Sequence, residues 1–355
     1  MARRYVSIKE VAARAGVSFQ TASKVLNGGN VRVSAETATR IMAVAKSLGY
    51  RPNTIARSLV RRTTGTIGLI ASDATDVAIS HFSVSVEQAA RRRGYAVLVG
   101  HLAADGADGA DIVRMLIERR VDGVIAAAPQ VEDDSEVAQL LRTYVPAVSL
   151  HHVPGGQVPV VGSNQGETGR LATEHLISHG HRLIGSVTGP FRRRVVRSRL
   201  RGYEATLLAH DMEPHEDLVV EADWTPGGAA AATRLLLERV PETTAIFVHN
   251  DAMAIGVLSE VAATGRRVPA DVAVVSCDDM PFAEYLTPAL STVRVPLGAT
   301  GERAVDLLLQ SITGAAVSAE PLLLPVELIN RSSCGCADPA AGGRMTRRPH
   351  DEMTR

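Results

Sequence analysis

The stretch Val6-Ser-Ile-Lys-Glu-Val-Ala-Ala-Arg-Ala-Gly-Val-Ser-Phe-Gln-Thr-Ala-Ser-Lys-Val-Leu-Asn27 decides how this chain begins to fold. Ser7 and Glu10 have capping-box spacing: the serine oxygen takes an orphan helix N–H and the glutamate reaches back. Ile8, Val11, Ala12 and Ala15 then share one helical face. Gly16 stops that helix and permits a tight turn, and Ser18 caps a second helix running to Asn27. Two short helices joined through a glycine turn make a helix-turn-helix unit. Ser34 caps a third helix, expected over Ala35 to Leu48 and ended by Gly49.

The second helix has two faces. Ala22, Val25 and Leu26 turn inward, leaving Phe19, Gln20, Ser23, Lys24 and Asn27 outside. Glutamine bonds the adenine edge, lysine donates to guanine, and an apolar ring meets a thymine methyl. Charge points the same way, although the whole chain is formally neutral. Residues 1–62 hold twelve Lys/Arg and two acidic residues, a net +10, and the remainder holds 26 and 36, a net −10. A basic head on an acidic body is expected where only the head meets a polyanion.

Working outward, Pro52 to Val60 reads as a short helix flanked by Arg61 and Arg62. From Thr66 onward strands alternate with amphipathic helices. The expected first run is strand Ile67–Ala71, helix Phe82–Arg93, strand Tyr95–Val99, helix Gly109–Arg119, strand Gly123–Ala127, helix Val137–Arg142 and strand Ala147–Leu150. A second run starts with helix Thr168–His179 and strand Leu183–Val187, then helix Arg199–His210 and strand Leu218–Val220. Helix Gly227–Arg239, strand Ala245–Val248, helix Met253–Thr264 and strand Val272–Ser276 complete it. This alternation predicts two α/β lobes, each on a parallel sheet, with a cleft at the carboxyl ends of the strands.

The head resembles the headpiece of LacI/GalR bacterial regulators, on the stretch quoted above and on Val33-Ser-Ala-Glu-Thr and Leu48-Gly-Tyr-Arg-Pro-Asn53. The resemblance runs to about Cys334. It implies an all-α helix-turn-helix headpiece (1–50), a hinge helix (51–62) and a two-lobed periplasmic-binding-protein-like core (63–334), while residues 335–355, rich in Arg, Pro, Gly and Met, read as a disordered tail. It also implies that Ser18, Phe19, Gln20, Thr21, Ser23, Lys24, Asn27 and Asn53 contact DNA, with Phe19, Gln20 and Lys24 at base edges. Lys24 stands where many members carry arginine and lacks its planar fork. Ala56 and Leu59 match the hinge residues at the minor groove, where an apolar wedge unstacks a base step. Leu290 to about Val326 is expected to return to the first lobe.

For a small-molecule effector the resemblance implies Arg199, in Arg197-Ser-Arg199-Leu-Arg-Gly202, together with Asn250, Asp278 and the single tryptophan, Trp224. Guanidinium, amide and carboxylate pair with hydroxyls, and an indole face suits a sugar or planar base. His151 and Asn164 are further cleft candidates. Two departures suggest an unusual ligand. Asp73 to Phe82 lacks the family's Asn-Pro-Phe-Phe type of run, and Ser163-Asn164-Gln165 replaces a frequent Asp-Asn pair.

The expected function is a homodimeric transcription regulator, a repressor, whose hold on a roughly palindromic operator is set by a sugar-like effector. The alternative is a solute-binding protein or enzyme on the same fold. The basic head and the missing export signal oppose the former, and the lack of a catalytic constellation opposes the latter. No cofactor and no membrane span are expected, and the cytoplasm is the expected location. Cys277, Cys334 and Cys336 are too few for a disulfide framework. Cys334-Gly-Cys336 has no second ligand pair near it in sequence, and His179-Gly-His181 fits a helix end turning into a strand, so no metal is expected.

Overall fold

Three helices, α1 (Ile8–Ala15), α2 (Phe19–Leu26) and α3 (Ala35–Ser47), close on a small core of Val11, Ala12, Ala15, Ala22, Ile41 and Ala45. Both halves of the capping box form, with Ser7 Oγ accepting from Glu10 N and Glu10 from Ser7 N. Gly16 takes the left-handed conformation (φ +67°) that the turn into α2 requires. The computed structural model describes residues 6–26, 33–51, 63–72, 76–103, 106–318 and 320–336. The hinge segment with Asn53, Ala56 and Leu59, the candidate Asn27, and residues 337–355 lie outside them. The chain divides into two compact units: residues 1–66 with 120–122, and the rest.

The second unit has two lobes. In the first, β1 (Thr66–Ala71), β2 (Ala96–His101), β3 (Gly123–Ala127) and β4 (Ala147–Ser149) form a sheet in the order β2-β1-β3-β4. Helices α4 (Val77–Arg92), α5 (Gly109–Glu118) and α6 (Ser135–Thr143) connect these strands. A short β5 (Val161–Ser163) follows, reached through a bridge from Ser149 to Val160.

The second lobe holds α7 (Gln165–Ser178), β6 (Ile184–Thr188), α8 (Arg194–Ala209), β7 (Val219–Glu221), α9 (Pro226–Arg239), β8 (Ala245–Val248), α10 (Asp251–Ala263) and β9 (Ala273–Asp278). Its sheet is buried on both faces, as a parallel sheet with helical crossovers must be. Ile246, Val248 and Val274 pack toward α9 and α10, while Ala245, Phe247 and Val275 pack toward α7 and α8.

The return of the chain corrects the expectation for Leu290 to Val326. β10 (Ser291–Arg294) first joins the second lobe, parallel to β9. Only α11 (Leu297–Ile312) and β11 (Leu322–Leu324) rejoin the first, where Ala304, Val305 and Leu308 pack with Ile67, Leu69 and Phe82 and β11 pairs β5. β12 (Glu327–Ile329) then crosses back and pairs antiparallel with β10. The chain thus passes between lobes three times, after β5, β10 and β11.

Two helices start five residues earlier than expected. α4 begins at Val77, not Phe82, because Asp76 accepts from Ala78 N and Ile79 N. α8 begins at Arg194, not Arg199. Arginines at a helix N-terminus oppose its dipole, which hides the start in the sequence. A carboxylate from the other lobe supplies what is missing: Arg194 N donates to Glu132 Oε2 at 3.2 Å.

α7 and α8 approach so closely that backbone meets backbone. A Cβ on Gly202 would stand 2.0 Å from Gly166 O, and one on Gly169 the same distance from Arg199 O. Gly202→Ala should therefore force the two helices apart and cost about 1–3 kcal/mol. Urea unfolding with a lowered midpoint would register the loss, and an unchanged midpoint would refute the close-packing account.

Candidate functional site

Two surfaces gather the candidate residues. On the headpiece, Ala22 is buried under α2 while Ser18, Gln20 and Lys24 are exposed and Thr21 and Ser23 are half-buried. Phe19 is 50% exposed, an unusual position for a phenyl ring unless something covers it. Ser18 Oγ accepts from Thr21 N at 3.1 Å, so it starts the helix as well as facing outward.

The second surface is a cavity of about 250 Å³ between the lobes of the core, whose lining includes Arg199, Asp278, Trp224, His151, Glu132 and Gln165. Its floor is the Arg199 side chain, which projects from the second turn of α8 and is only 3% exposed. A buried guanidinium must have its donors met. Nε donates to Gln165 Oε1 at 2.8 Å, Nη1 to the carbonyl of His249, and Nη2 to Asp278 Oδ1 at 3.4 Å. The last contact is long, leaving room for a ligand oxygen to compete for both partners. Burial pushes the Asp278 carboxyl up to about 8 against the pull of Arg199. Burial, and then the charge of Arg199, hold the His249 imidazole well below its usual range.

Asp251 braces this floor from behind. It accepts from Ser276 Oγ, from Thr292 Oγ1 at 2.7 Å and from Met280 N at 2.7 Å, tying β9, β10 and the loop beyond Asp278 together. The backbone there is strained, with φ of +119° at Asp278 and +56° at Asp279. Trp224, at φ +77°, is strained as well. Left-handed non-glycine residues persist only where surroundings over-determine them, and they gather at ligand clamps.

On the facing wall, Glu132 is buried and joins the lobes, since His151 Nδ1 lies 3.4 Å from its Oε1 while Arg194 N reaches its Oε2. Burial raises its carboxyl, but hydrogen bonds and charges from His151 and Arg194 prevail and hold it below the usual range. His151 lines the cavity, and its Nε2 is buried without a hydrogen-bond partner among the described residues. Trp224 is half-buried with the Arg193 guanidinium 5.0 Å from its ring centre, a cation–π arrangement.

Four of the six cleft candidates thus meet around one cavity: Arg199, Asp278, Trp224 and His151. Asn164 and Asn250 do not line it. Asn250 accepts from Met253 N at 2.6 Å as the cap of α10, and Asn164 accepts from Glu167 N at 3.1 Å as the cap of α7. Asn164-Gln-Gly-Glu167 has helix-start spacing, so the capping role was legible. The sequence reading passed over Glu132, Gln165, Arg193 and Asp76. A search of every loop following a strand would have found the first two, because ligand groups gather there in α/β sheets.

Away from the cleft, the structure corrects the reading of the last cysteines. Gly335 and Cys336, placed with the tail, pack on α7, where Cys336 meets His175 and His179. His181 turns elsewhere, with Nδ1 3.1 Å from Thr244 Oγ1. Among the described residues, no helix is long and apolar enough to cross a membrane.

With this geometry in view, the chain compares as follows. Residues 7–53 match the family model for bacterial regulatory proteins of the lacI family, and residues 173–334 match that for the periplasmic binding protein-like domain. The ribose operon repressor of Escherichia coli strain K12 is 33% identical over 329 residues, covering 92% of this chain and 99% of that protein. A crystal structure of the lac repressor dimer bound to operator and the anti-inducer ONPF matches with a TM-score of 0.85 and 31% identity, over 93% of this chain and 99% of that one. The transcriptional regulator CelR in complex with cellobiose matches with a TM-score of 0.71 and 34% identity, over 92% and 99%.

The buried pair yields a pH test. With its folded value near 8, Asp278 is protonated in the native state below that pH whether or not Arg199 is present. An acid whose pKa is raised on folding loses stability as pH climbs toward the raised value, and removing Arg199 lifts that value further. The destabilisation caused by Arg199→Ala should therefore be smaller at pH 7 than at pH 9, where wild-type Asp278 ionises beside its partner. Urea unfolding of both proteins at the two pH values measures this, and a difference independent of pH would contradict it.

Proposed function

The chain belongs to the lacI family of bacterial regulatory proteins, and on that premise we propose how its own residues carry out that work. It is a DNA-binding transcriptional repressor that acts as a dimer under the control of a small-molecule effector. Two-fold symmetry calls for a roughly palindromic operator. In our reading α2 enters the major groove, with Phe19 against a thymine methyl and Gln20 and Lys24 at purine edges. The +10 head binds phosphates, so affinity falls steeply with salt. DNA as partner places the protein in the cytoplasm.

The observation that carries the effector assignment is the buried Arg199, joined to Asp278 by a loose contact at the floor of a cleft between two lobes. Vicinal hydroxyls fit between the guanidinium and the Asp278 carboxyl group, each hydroxyl both donating and accepting. Trp224 flanks that position, and His151 lines the facing wall. The cavity lies just below the volumes that take drug-sized ligands, which favours a metabolite of monosaccharide size. This supports a sugar or sugar derivative. Three strand crossings let the lobes change their angle, and a ligand moves that equilibrium only through its difference in affinity for the two states. We read the cleft as a binding site, since Arg199 at its floor is paired with Gln165, Asp278 and the carbonyl of His249.

A mobility-shift assay on palindromic duplexes tests both halves. Deleting residues 1–62 should abolish the shift, and Lys24→Ala should cost about 1–3 kcal/mol of discrimination at one base pair per half-site. A panel of sugars, polyols and nucleobases should alter both the shift and Trp224 fluorescence. Arg199→Ala, still binding operator, should lose the response. A response that survived in that variant would remove the ligand from this cleft.

A further inference from the structure

His175 and His179 stand four residues apart at the end of α7, so their rings share one face, with centroids 4.6 Å apart. The last described turn of the chain faces them. There Gly335 takes φ +90° and swings Cys336 over the pair, placing Sγ 3.6 Å from Nε2 of His175 and 3.3 Å from Nε2 of His179. All three ligand atoms lie within 4.8 Å of one another. Tetrahedral zinc holds thiolate sulfur at about 2.3 Å and imidazole nitrogen at about 2.0–2.1 Å, which sets sulfur–nitrogen edges of about 3.5 Å. The two measured separations straddle that figure.

Cys334 is buried two residues earlier, outside the three ligand atoms that lie close to one another. Its surroundings are built rather than loose. Ser291 Oγ donates to Cys334 Sγ at 3.0 Å, and the intervening Ser333 is bound to the sheet through Val274 O at 2.6 Å and Ser291 N at 2.8 Å. Such outer hydrogen bonds orient metal ligands. Thiolate and imidazole donors exclude magnesium, calcium and manganese and suit zinc.

We propose that His175, His179 and Cys336 bind zinc and so clamp the end of the core onto α7. The first residue of that helix, Gln165, holds Arg199 in the cleft, so the clamp secures the far end of an element that shapes the effector site. Sequence spacing concealed the site, because 157 residues separate His179 from Cys336.

The test uses the full-length protein, stripped with a chelator and kept reduced with a phosphine. Zinc should bind at one equivalent per protomer with a dissociation constant below about 1 µM. Cobalt should give tetrahedral d–d absorption and a thiolate charge-transfer band. Cys336→Ser and His179→Ala, checked for folding by operator binding, should lose that band and the zinc-dependent rise in melting temperature. His215→Ala, remote on the surface, should keep both. Absence of stoichiometric zinc binding to the reduced wild type, or a cobalt spectrum unaltered by Cys336→Ser, would overturn the proposal. In the first case the cluster is no more than a hydrogen-bonded thiol.

Discussion

A guanidinium taken out of water has to be surrounded by acceptors, and much of this core is arranged to do that for Arg199. Its three partners come from three separate places: the start of α7, the carbonyl after β8 and the end of β9. None of these could drift without leaving a donor unpaired in a buried site, which costs on the order of 1–3 kcal/mol or more for a charged group. The close contact of α7 with α8 through Gly169 and Gly202 follows from the same need, since a wider spacing would carry Gln165 away from Arg199. The network of Asp251 beneath Asp278 has the same logic one layer down.

The facing lobe takes part through one side chain. Glu132 caps the N-terminus of α8 from outside its own lobe, so the helix bearing Arg199 begins under the influence of the opposite wall. Anything that pulled the lobes apart would strip that cap, and anything that drew them together would press His151 and Glu132 toward Arg193 and Trp224. Three chain crossings permit such movement without unfolding either sheet. The strained residues Trp224, Asp278 and Asp279 sit where this movement meets the ligand position, consistent with a site held ready rather than relaxed.

The division between readable and unreadable features follows the range of the forces. Capping boxes, glycine stops and apolar periodicity act within a few residues, so the headpiece helices, the alternation of the core and the caps at Ser7, Ser18 and Ser34 were legible. The family resemblance marked Arg199 and Asp278, the latter also by its place after a strand. Asn164 and Asn250 cap helices, a role the sequence reading did not give them because an asparagine after a strand suits a ligand and a helix cap equally well. The start of α8 was missed because its stabilising carboxylate lies 62 residues away, and the split path of the chain's end because pairing partners, not local propensity, assign β10 and β12 to the second lobe.

The sequence by itself determined the class of protein: a basic helix-turn-helix head and an acidic α/β body. Those depend on residue type, charge and short periodicities, which are local and survive without coordinates. Only the tertiary structure decided which polar groups face one cavity, that Glu132 ties one wall to the other, and that two histidines meet Cys336 at the end of α7. Each of those is a contact between residues distant in the chain, created by packing.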